Sequence, residues 1–332
     1  MTSLKKNDIE LFLGSSVEVL RKEFASESVH SIITSPPYYG QRDYHSDDQI
    51  GNESTLEGYL DNLCDVFDEC HRVLRDDGTL WVNLGDKGEK GNELNVPFLF
   101  AEEMKKRGWY QRRWFPWLKR NGIPRGGNNR PHDNLEVIFM FAKRPRNYYY
   151  DQLSAKEAAG LTTRNFRNGD TVLLDPDPDF WVFDVLTRKN ASEHFATFPP
   201  QLAEIMMRAS TSDYGVTKTG EQIGRLFEKK RYATRPGTNA KKDESGMAFR
   251  DSGRHITEVK HLGWDTIEGE EVGKPIVLDP FSGMATVGVV CINHGRAYRG
   301  IEVNADYLEE SRRRLEEELK NATKHEPDLF AS

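Results

Sequence analysis

The stretch that most constrains this chain is Thr34-Ser35-Pro36-Pro37-Tyr38, which follows a short run rich in β-branched residues at positions 29–33. Two successive prolines remove two backbone donors and fix two φ angles, so they predict a stiff turn at the end of a strand. Pro36 also pushes Ser35 toward an extended conformation. Such a turn presents carbonyl oxygens and an aromatic face, which suit a planar heterocycle with an exocyclic amino group. A Pro-Pro-Tyr sequence by itself also fits an ordinary loop with a core tyrosine.

Two further motifs lie far downstream, at Val277-Leu278-Asp279-Pro280-Phe281-Ser282-Gly283 and at Tyr298-Arg299-Gly300-Ile301-Glu302-Val303. The first predicts a strand that turns into a helix, where Gly283 lets the backbone approach a ligand and the helix amino end favours a carboxylate. Glu302 follows about 20 residues on, at the spacing of the acid that accepts ribose hydroxyls in dinucleotide folds. A nicotinamide cofactor is not predicted, because the Gly-x-Gly-x-x-Gly pattern is absent.

Together these motifs resemble those of the β-type DNA amino-methyltransferases, in which the catalytic motif precedes the methyl-donor motif. Members of this family methylate N4 of cytosine or N6 of adenine. The resemblance covers most of the chain except roughly residues 151–180 and 212–272. It implies an α/β, Rossmann-like S-adenosylmethionine-dependent methyltransferase fold, with a mostly parallel sheet flanked by helices and with inserted target-recognition segments.

The resemblance implies S-adenosyl-L-methionine as the methyl donor and assigns residues from several parts of the chain to it. These residues are Leu13, Gly14, Ser15, Thr34, Phe195, Thr197, Phe198, Asp279, Pro280, Phe281, Ser282, Gly283, Thr286, Glu302 and Val303. The family usually has a second glycine where this chain has Ala285. We expect the turn to tolerate alanine there if its φ is negative.

The same resemblance implies that Ser35, Pro36, Pro37 and Tyr38 are catalytic. The target base flips out of the duplex, the carbonyls of Ser35 and Pro36 hold its amino group, and Tyr38 stacks on its ring. No strong general base is needed, since the proton can leave after methyl transfer. Serine in place of the commoner aspartate resembles the cytosine-N4 subset. Adenine N6 stays open as the alternative, because some adenine-N6 enzymes also carry serine.

Two more distant functions are also considered. RNA and protein-glutamine methyltransferases use Pro-Pro-Tyr turns as well, but they usually place the donor motif before the catalytic motif. A DNA-binding relative without activity would have lost its donor site, whereas Asp279, Gly283 and Glu302 are intact in this chain.

The charge balance bears on how this chain would meet DNA. With 46 Lys and Arg against 53 Asp and Glu, the net charge is -7, which argues against bulk electrostatic binding. Basic residues must then be concentrated on one face. The candidates for DNA contact are Arg42, Arg112, Arg125, Arg130, Arg164, Arg167, Lys230 and Arg231.

Composition and hydrophobic spacing suggest a division of the chain, and the resemblance implies the role of each part. Residues 1–150 form the catalytic half, 151–180 a target-recognition segment, 181–211 a donor-packing segment, 212–273 a basic, partly mobile insertion, 274–320 the donor-binding half, and 321–332 a tail. Within the first half, the spacing predicts a helix from Leu56 to Leu74, stopped at residues 76–78, and a strand from Thr79 to Leu84.

Three cysteines without metal-ligand spacing predict neither a disulfide frame nor a metal site. Many relatives carry a zinc knuckle in the second insertion, but this chain has no cysteine between Cys70 and Cys291, so we expect no zinc. A polar N-terminus and the lack of a long apolar run predict a soluble, intracellular protein. The resemblance implies a cytoplasmic enzyme that is prokaryotic or phage-encoded. The resemblance implies double-stranded DNA as the partner. It also allows a separate cognate restriction endonuclease and a homodimer.

Overall fold

The computed structural model describes residues 8–42, 49–119, 134–160, 162–164, 171–174, 181–183, 199–233, 255–266 and 272–324. The strands are β1 (Ile9–Leu13), β2 (Val29–Thr34), β3 (Leu74–Leu84), β4 (Gly88–Glu89), β5 (Asn92–Glu93), β6 (Tyr110–Lys119), β7 (Leu135–Ala142), β8 (Thr162–Arg164), β9 (Thr171–Leu174), β10 (Trp181–Phe183), β11 (Arg225–Ala233), β12 (His255–Trp264), β13 (Ile276–Asp279) and β14 (Ala297–Glu302). The helices are α1 (Ser16–Glu23), α2 (Leu56–Val73), α3 (Val96–Lys106), α4 (Gln152–Ala158), α5 (Pro200–Ser210), α6 (Thr286–Asn293) and α7 (Ala305–Lys324).

The main sheet of the described residues has eight strands in the order β1-β14-β13-β2-β3-β7-β6-β10. The first five run parallel, β7 is antiparallel to both neighbours, and β10 is parallel to β6. The chain leaves β2 through α2 toward β3, and it leaves β13 through α6 toward β14 on the other side. The switch point therefore lies between β13 and β2, where ligands of open α/β sheets collect at the strand carboxyl ends. The predicted fold is confirmed.

Helices cover both faces of this sheet. On one face, α1, α2 and α3 pack around Leu20, Phe67 and Phe100. On the other face, α4, α5, α6 and α7 pack around Met206 and Val290. Every residue of β2 is buried between the two layers, as expected for a parallel strand with helices on both sides. The Ser-Pro-Pro-Tyr turn therefore leaves the sheet from a buried, central strand.

The junction between α2 and β3 differs from the prediction. The helix ends at Val73, and the strand begins at Leu74 and runs on through the residues 76–78 that were expected to separate them. Leu74 pairs with Val29 but Thr79 pairs with Ser31, so residues 75–78 bulge out of the ladder. Gly78 permits this bulge, since a Cβ there would lie 2.8 Å from the His30 carbonyl oxygen.

A second, antiparallel sheet is built from both inserted segments, in the order β11-β12-β9-β8. β8 and β9 come from the segment 151–180, whose sequence has no clear period, and β11 and β12 come from the basic insertion 212–273. β12 pairs with both β11 and β9. The two stretches proposed from the sequence as separate recognition segments thus share one sheet.

A buried ionic cluster ties the root of this second sheet to the main domain. Asp213 accepts hydrogen bonds from Arg208 (3.3 Å), Arg225 (3.1 Å) and Arg296 (2.5 Å), and Arg225, the first residue of β11, also binds Asp151 at 3.0 Å. Burial alone would raise the pKa of Asp213, but the neighbouring Arg296 and Arg208 charges lower it to about 2. The cluster joins β11 to α4, α5 and the turn before β14.

None of the described helices is both long and apolar enough to cross a bilayer. No group of three or more potential metal ligands occurs among the described residues. Cys64, Cys70 and Cys291 are buried free thiols, and burial raises the pKa of Cys64 to about 12, which fits a packing role.

Candidate active site

The predicted site residues converge because parallel strands end at the same edge of the sheet. β1 ends at Leu13, β2 at Thr34, β13 at Asp279 and β14 at Glu302. The pairing register places Leu13 beside Glu302. The donor motif and the catalytic motif, about 240 residues apart in sequence, meet at the switch point.

A direct hydrogen bond joins the two motifs. The Thr34 hydroxyl donates to Asp279 Oδ1 at 2.7 Å, and the Phe281 amide donates to the same oxygen at 3.1 Å. Thr34 and Asp279 are both buried. Burial raises the pKa of Asp279 to about 7, against the lowering effect of these two hydrogen bonds, and the charge of Glu302 acts in the same direction as burial. The free protein therefore holds a costly buried acid beside its catalytic turn.

The Glu302 carboxylate is fixed by backbone donors. Its Oε2 accepts from the Gly283 amide at 2.8 Å and its Oε1 accepts from the Asn304 amide at 2.9 Å. Burial raises the pKa of Glu302, and these backbone hydrogen bonds oppose the rise. A carboxylate oxygen has more than one acceptor direction, so both oxygens keep acceptor capacity for a ligand.

The walls of this crevice suit an organic ligand. Leu13 is 53% exposed although it is apolar. Gly283 has a φ of +49°, and no atom of the described residues lies within 4 Å of the position that a Cβ would take there. Gly14 donates its amide to the Glu302 carbonyl at 3.0 Å, which ties the first turn to this crevice. Phe281 is partly buried against the core.

Other residues assigned to the donor have protein partners. The Ser282 hydroxyl bonds with Tyr298 at 2.8 Å, and the Thr286 hydroxyl accepts from Arg314 at 3.5 Å. The Pro280 carbonyl accepts from Ser16 at 2.6 Å. Ser15 precedes α1 without a side-chain capping bond, and Val303 follows β14 directly.

Ala285 does not meet the condition set from the sequence. Its φ is +52° and its ψ is +43°, in the left-handed region, and it is fully buried at the amino end of α6. The negative φ under which alanine was expected to be tolerated is therefore not found. The turn into α6 requires this conformation, and glycine adopts it without the cost that a Cβ carries.

We expect Ala285→Val to lower the free energy of unfolding by about 2 kcal/mol, since a β-branched residue is strained at positive φ. Ala285→Gly should stay within about 1 kcal/mol of the parent, because relief of strain offsets the lost methyl burial and the added chain entropy. Urea unfolding of both variants measures the difference. Equal midpoints for the valine variant and the parent would contradict the left-handed assignment.

The catalytic turn is braced from several sides. Tyr59 of α2 donates its hydroxyl to the Pro37 carbonyl at 2.8 Å. The Tyr38 ring lies against Gly85, where a Cβ would come within 2.7 Å of the ring. The Tyr38 hydroxyl donates to Glu136 Oε2 at 2.7 Å. These contacts hold both the backbone and the aromatic ring of the turn in place.

Sequence reasoning missed the polar group behind Tyr38. Asn83 of β3 donates from Nδ2 to Glu136 Oε2 at 2.6 Å and to the Tyr38 hydroxyl at 2.8 Å. Lys119, at the end of β6, forms an ion pair with Glu136 Oε1. The available signal was one polar residue in the apolar last five residues of β3, Leu-Trp-Val-Asn-Leu, and one in the otherwise apolar β7, Leu-Glu-Val-Ile-Phe-Met-Phe-Ala.

The candidate DNA contacts are only partly described. Arg42 is exposed in the segment that follows the catalytic turn. Arg112 on β6 donates to the Tyr148 hydroxyl at 3.1 Å and lies over its ring. Arg164 lies in β8, and Lys230 and Arg231 lie in β11. Arg125, Arg130, Arg167, Phe195, Thr197 and Phe198 lie outside the described residues.

Comparison with known proteins agrees with this geometry. A family described as DNA methylase matches residues 29–218. The type II methyltransferase M.Cfr9I of Citrobacter freundii is 32% identical, over 96% of this chain and 91% of its own length. The structure of PvuII DNA methyltransferase, described as cytosine-N4-specific, covers 97% of this chain and 93% of its own, with a TM-score of 0.60 at 18% identity.

A second solved structure, a DNA modification methylase from Thermus thermophilus in complex with S-adenosyl-L-methionine, covers 93% of this chain and 94% of its own, with a TM-score of 0.53 at 21% identity. Both structures share the fold. A doubly wound sheet with an acidic crevice beside a Ser-Pro-Pro-Tyr turn defines an S-adenosylmethionine-dependent DNA amino-methyltransferase. The chain belongs to the DNA methylase family that acts on N4 or N6 amino groups.

Proposed function

We propose that this chain transfers the methyl group of S-adenosylmethionine to N4 of a cytosine flipped out of duplex DNA. The observation that carries the proposal is the Thr34–Asp279 hydrogen bond at 2.7 Å, because it joins the Ser-Pro-Pro-Tyr turn directly to the donor crevice. Ser35 in place of aspartate favours cytosine over adenine. Adenine N6 is the second candidate, since the same turn can hold either amino group.

The residues of the crevice fit the donor. Glu302 keeps acceptor capacity for the two ribose hydroxyls. Asp279 is a buried carboxylate suited to the ammonium group of the methionine part, and Leu13 offers exposed apolar surface to the adenine. The open space above Gly283 admits the ligand backbone. Phe195, Thr197 and Phe198 remain donor contacts assigned from the family resemblance alone.

S-adenosylmethionine, when bound, supplies an electrophilic methyl group on a sulfonium. The turn does the rest by positioning, which can supply much of the rate of such a reaction. The Ser35 and Pro36 carbonyls hold the N–H groups of the base, and the Tyr38 ring stacks on the heterocycle. With the N–H bonds held in this way, the nitrogen lone pair is left to face the donor.

The partners follow from the class of enzyme. Double-stranded DNA is the substrate, and we assign its recognition to the second sheet and the candidate arginines named above. The type II designation of M.Cfr9I supports a cognate restriction endonuclease as a separate protein in the same cytoplasm. A homodimer is proposed on family analogy alone.

The test is digestion of DNA from cells that express the chain, with the nucleosides resolved by mass spectrometry. We expect a new N4-methylcytosine peak that is lost in the double variant Ser35→Ala, Pro36→Ala. The matched control is Ser28→Ala with Pro145→Ala, which changes the same residue types away from the crevice. A new N6-methyladenine peak would overturn the assignment of the base. No modified nucleoside from folded, donor-binding protein would overturn the proposed function.

A further inference from the structure

We propose that Glu136 and Asn83 are positioning residues that turn the proton of the Ser35 hydroxyl away from the target base, so that a lone pair faces the amino group held by the Ser35 and Pro36 carbonyls. The inference rests on the proposed function. It assigns roles to two residues outside the Ser-Pro-Pro-Tyr turn, which act on the base through Tyr38 and Ser35.

The direction of each hydrogen bond in the group is fixed by the carboxylate of Glu136. An ionised carboxylate only accepts, so both groups that contact its Oε2 must donate to it. Tyr38 therefore donates its single hydroxyl proton to Glu136 Oε2, at 2.7 Å. Asn83 must turn its amide nitrogen toward the same oxygen, at 2.6 Å, because its amide oxygen would be repelled there.

The Tyr38 oxygen is then left as an acceptor. Asn83 Nδ2 lies 2.8 Å from it, and the Ser35 hydroxyl lies 3.2 Å from it. Because the proton of Tyr38 is engaged by Glu136, a hydrogen bond between Ser35 and Tyr38 requires Ser35 to be the donor. The one proton of Ser35 thus points at Tyr38. One lone pair of its hydroxyl oxygen faces Asn83 Nδ2, at 3.4 Å, and the other is left for the base.

This direction matters because serine, unlike aspartate, is both a donor and an acceptor. An exocyclic amino group presents N–H protons. A serine that pointed its own hydroxyl proton at the amino group would place two donor protons face to face, and they would repel each other. Aspartate at this position needs no such control. A chain with Ser35 needs a group that keeps the serine proton occupied, and the Glu136–Tyr38 pair does this.

The environment holds the arrangement firmly. Lys119 forms an ion pair with the other oxygen of Glu136 and lies over the Trp117 ring at 4.7 Å. The side chains of Glu136 and Lys119 are only 13% and 22% exposed, and Asn83 is buried. Hydrogen bonds in a low-dielectric setting strengthen one another and define one arrangement.

Glu136→Gln should reverse the direction of the hydrogen bonds that run from Ser35 through Tyr38 to residue 136, without changing the shape of the side chain at position 136. Lys119 keeps the amide oxygen of the new side chain on its side, so the amide nitrogen faces Tyr38. Tyr38 then accepts from Gln and turns its own proton toward Ser35, whose proton is displaced toward the base. We expect kcat to fall about 100-fold, with the KM for DNA and the affinity for the donor changed less than about threefold.

A double-mutant cycle separates this effect from a general loss of structure. In a Ser35→Ala background, Glu136→Gln should cost less than about threefold in kcat, because the hydroxyl that it misorients is gone. Tyr38→Phe, which keeps the ring, should lower kcat as much as Glu136→Gln does, and the two changes together should cost no more than either alone. Additive losses would overturn the inference.

The matched control is Glu69→Gln. The Glu69 side chain is 16% exposed, similar to that of Glu136, and it pairs with Arg21 and Arg72. Glu69→Gln removes the same charge, and we expect it to keep the parent kcat.

A second measurement needs no methyl donor. It compares the binding of a duplex that has cytosine at the mapped target position with the binding of a duplex that has 2-pyrimidinone there, which lacks the amino group. The parent should prefer cytosine, and Glu136→Gln should lose that preference.

The failures of the two proposals are distinguishable. N4-methylcytosine formed by Glu136→Gln at the parent rate would overturn the positioning role and leave the function intact. If the product is N6-methyladenine, the same cycle is measured on adenine, with purine as the analogue without the amino group. If the parent modifies no DNA and shows no preference between the bases, both proposals are wrong.

Discussion

Asp213→Asn is expected to lower the free energy of unfolding by about 3–5 kcal/mol, the usual cost of removing one partner from a buried ionic cluster. Three arginines, Arg208, Arg225 and Arg296, direct guanidinium nitrogens at this carboxylate. Asparagine keeps the shape but removes the charge that the three arginines share, although Arg225 keeps Asp151 and Arg208 keeps Glu157. Urea unfolding at pH 7 measures the loss.

The control for this variant is Asp68→Asn. Asp68 also pairs with an arginine, Arg107 at 2.7 Å, but its side chain is 48% exposed. An exposed pair contributes about 1 kcal/mol or less, so this variant should unfold close to the parent. Similar small losses for both variants would show that the cluster does not hold the two sheets together.

The same acid gives a pH dependence whose sign can be worked out. The pKa of Asp213 is about 2, below its ordinary value of 3.8. A group with a depressed pKa in the folded state stabilises the fold above its unfolded pKa, and the stabilisation is lost as the pH falls through the folded value. The parent should therefore lose stability between about pH 4 and pH 2, and Asp213→Asn should lack this part of the loss.

Asp279→Asn is expected to raise the free energy of unfolding of the donor-free protein, whereas Asp213→Asn lowers it. Burial raises the pKa of Asp279 from 3.8 to about 7. A raised pKa stabilises the fold fully below pH 3.8, and this contribution disappears as the pH rises to about 7. The buried charge then costs up to about 4 kcal/mol at pH 8. Asparagine removes the charge but buries an amide, so we expect a net gain of about 2 kcal/mol at pH 8.

The same variant should bind the methyl donor more weakly than the parent does. If Asp279 holds the ammonium group of S-adenosylmethionine, the parent binds more tightly at pH 8 than at pH 6, because the carboxylate must ionise. Asp279→Asn should bind at least tenfold more weakly at pH 8 and show little change between the two pH values. Calorimetry at both pH values tests this, with the exposed Asp65→Asn as control. Unchanged affinity at pH 8 would remove Asp279 from the donor site.

A gain in stability together with a loss of binding is typical of a functional site that keeps a costly group. The Thr34–Asp279 hydrogen bond, at 2.7 Å, ties this cost to the catalytic turn. Both outcomes together would explain the acid by the donor that we propose it binds, since the free protein would be more stable without its charge.

Much of the fold could be predicted from local patterns. The β-branched run that became β2, the motif strand that became β13 and the helical spacing of α2 marked elements of the sheet, and the resemblance implied its α/β class. The prolines after β2 and the glycine after β13 marked the two turns at its carboxyl edge. Such signals survive in the sequence because each depends on a few neighbouring residues and on one backbone geometry.

The pairing register of the strands and the packing of the elements could not be predicted from these local patterns. The sequence predicted that residues 76–78 separate α2 from the next strand, but the pairing of β2 with β3 draws those residues into a bulged strand. The second sheet joins strands from segments that lie about 80 residues apart, and short polar strands carry little period when their partners are distant. Ala285 has a left-handed φ because the turn into α6 demands it.

The sequence by itself determined the class of enzyme, the order of its two motifs and the candidate residues at Ser35, Tyr38, Asp279 and Glu302, because each belongs to a short motif with its own chemistry. Only the tertiary structure decided which polar groups stand behind them. Tyr38 and Glu136 are 98 positions apart, and the direction of a hydrogen bond depends on every partner that meets it. That information exists only once β3, β6 and β7 lie side by side.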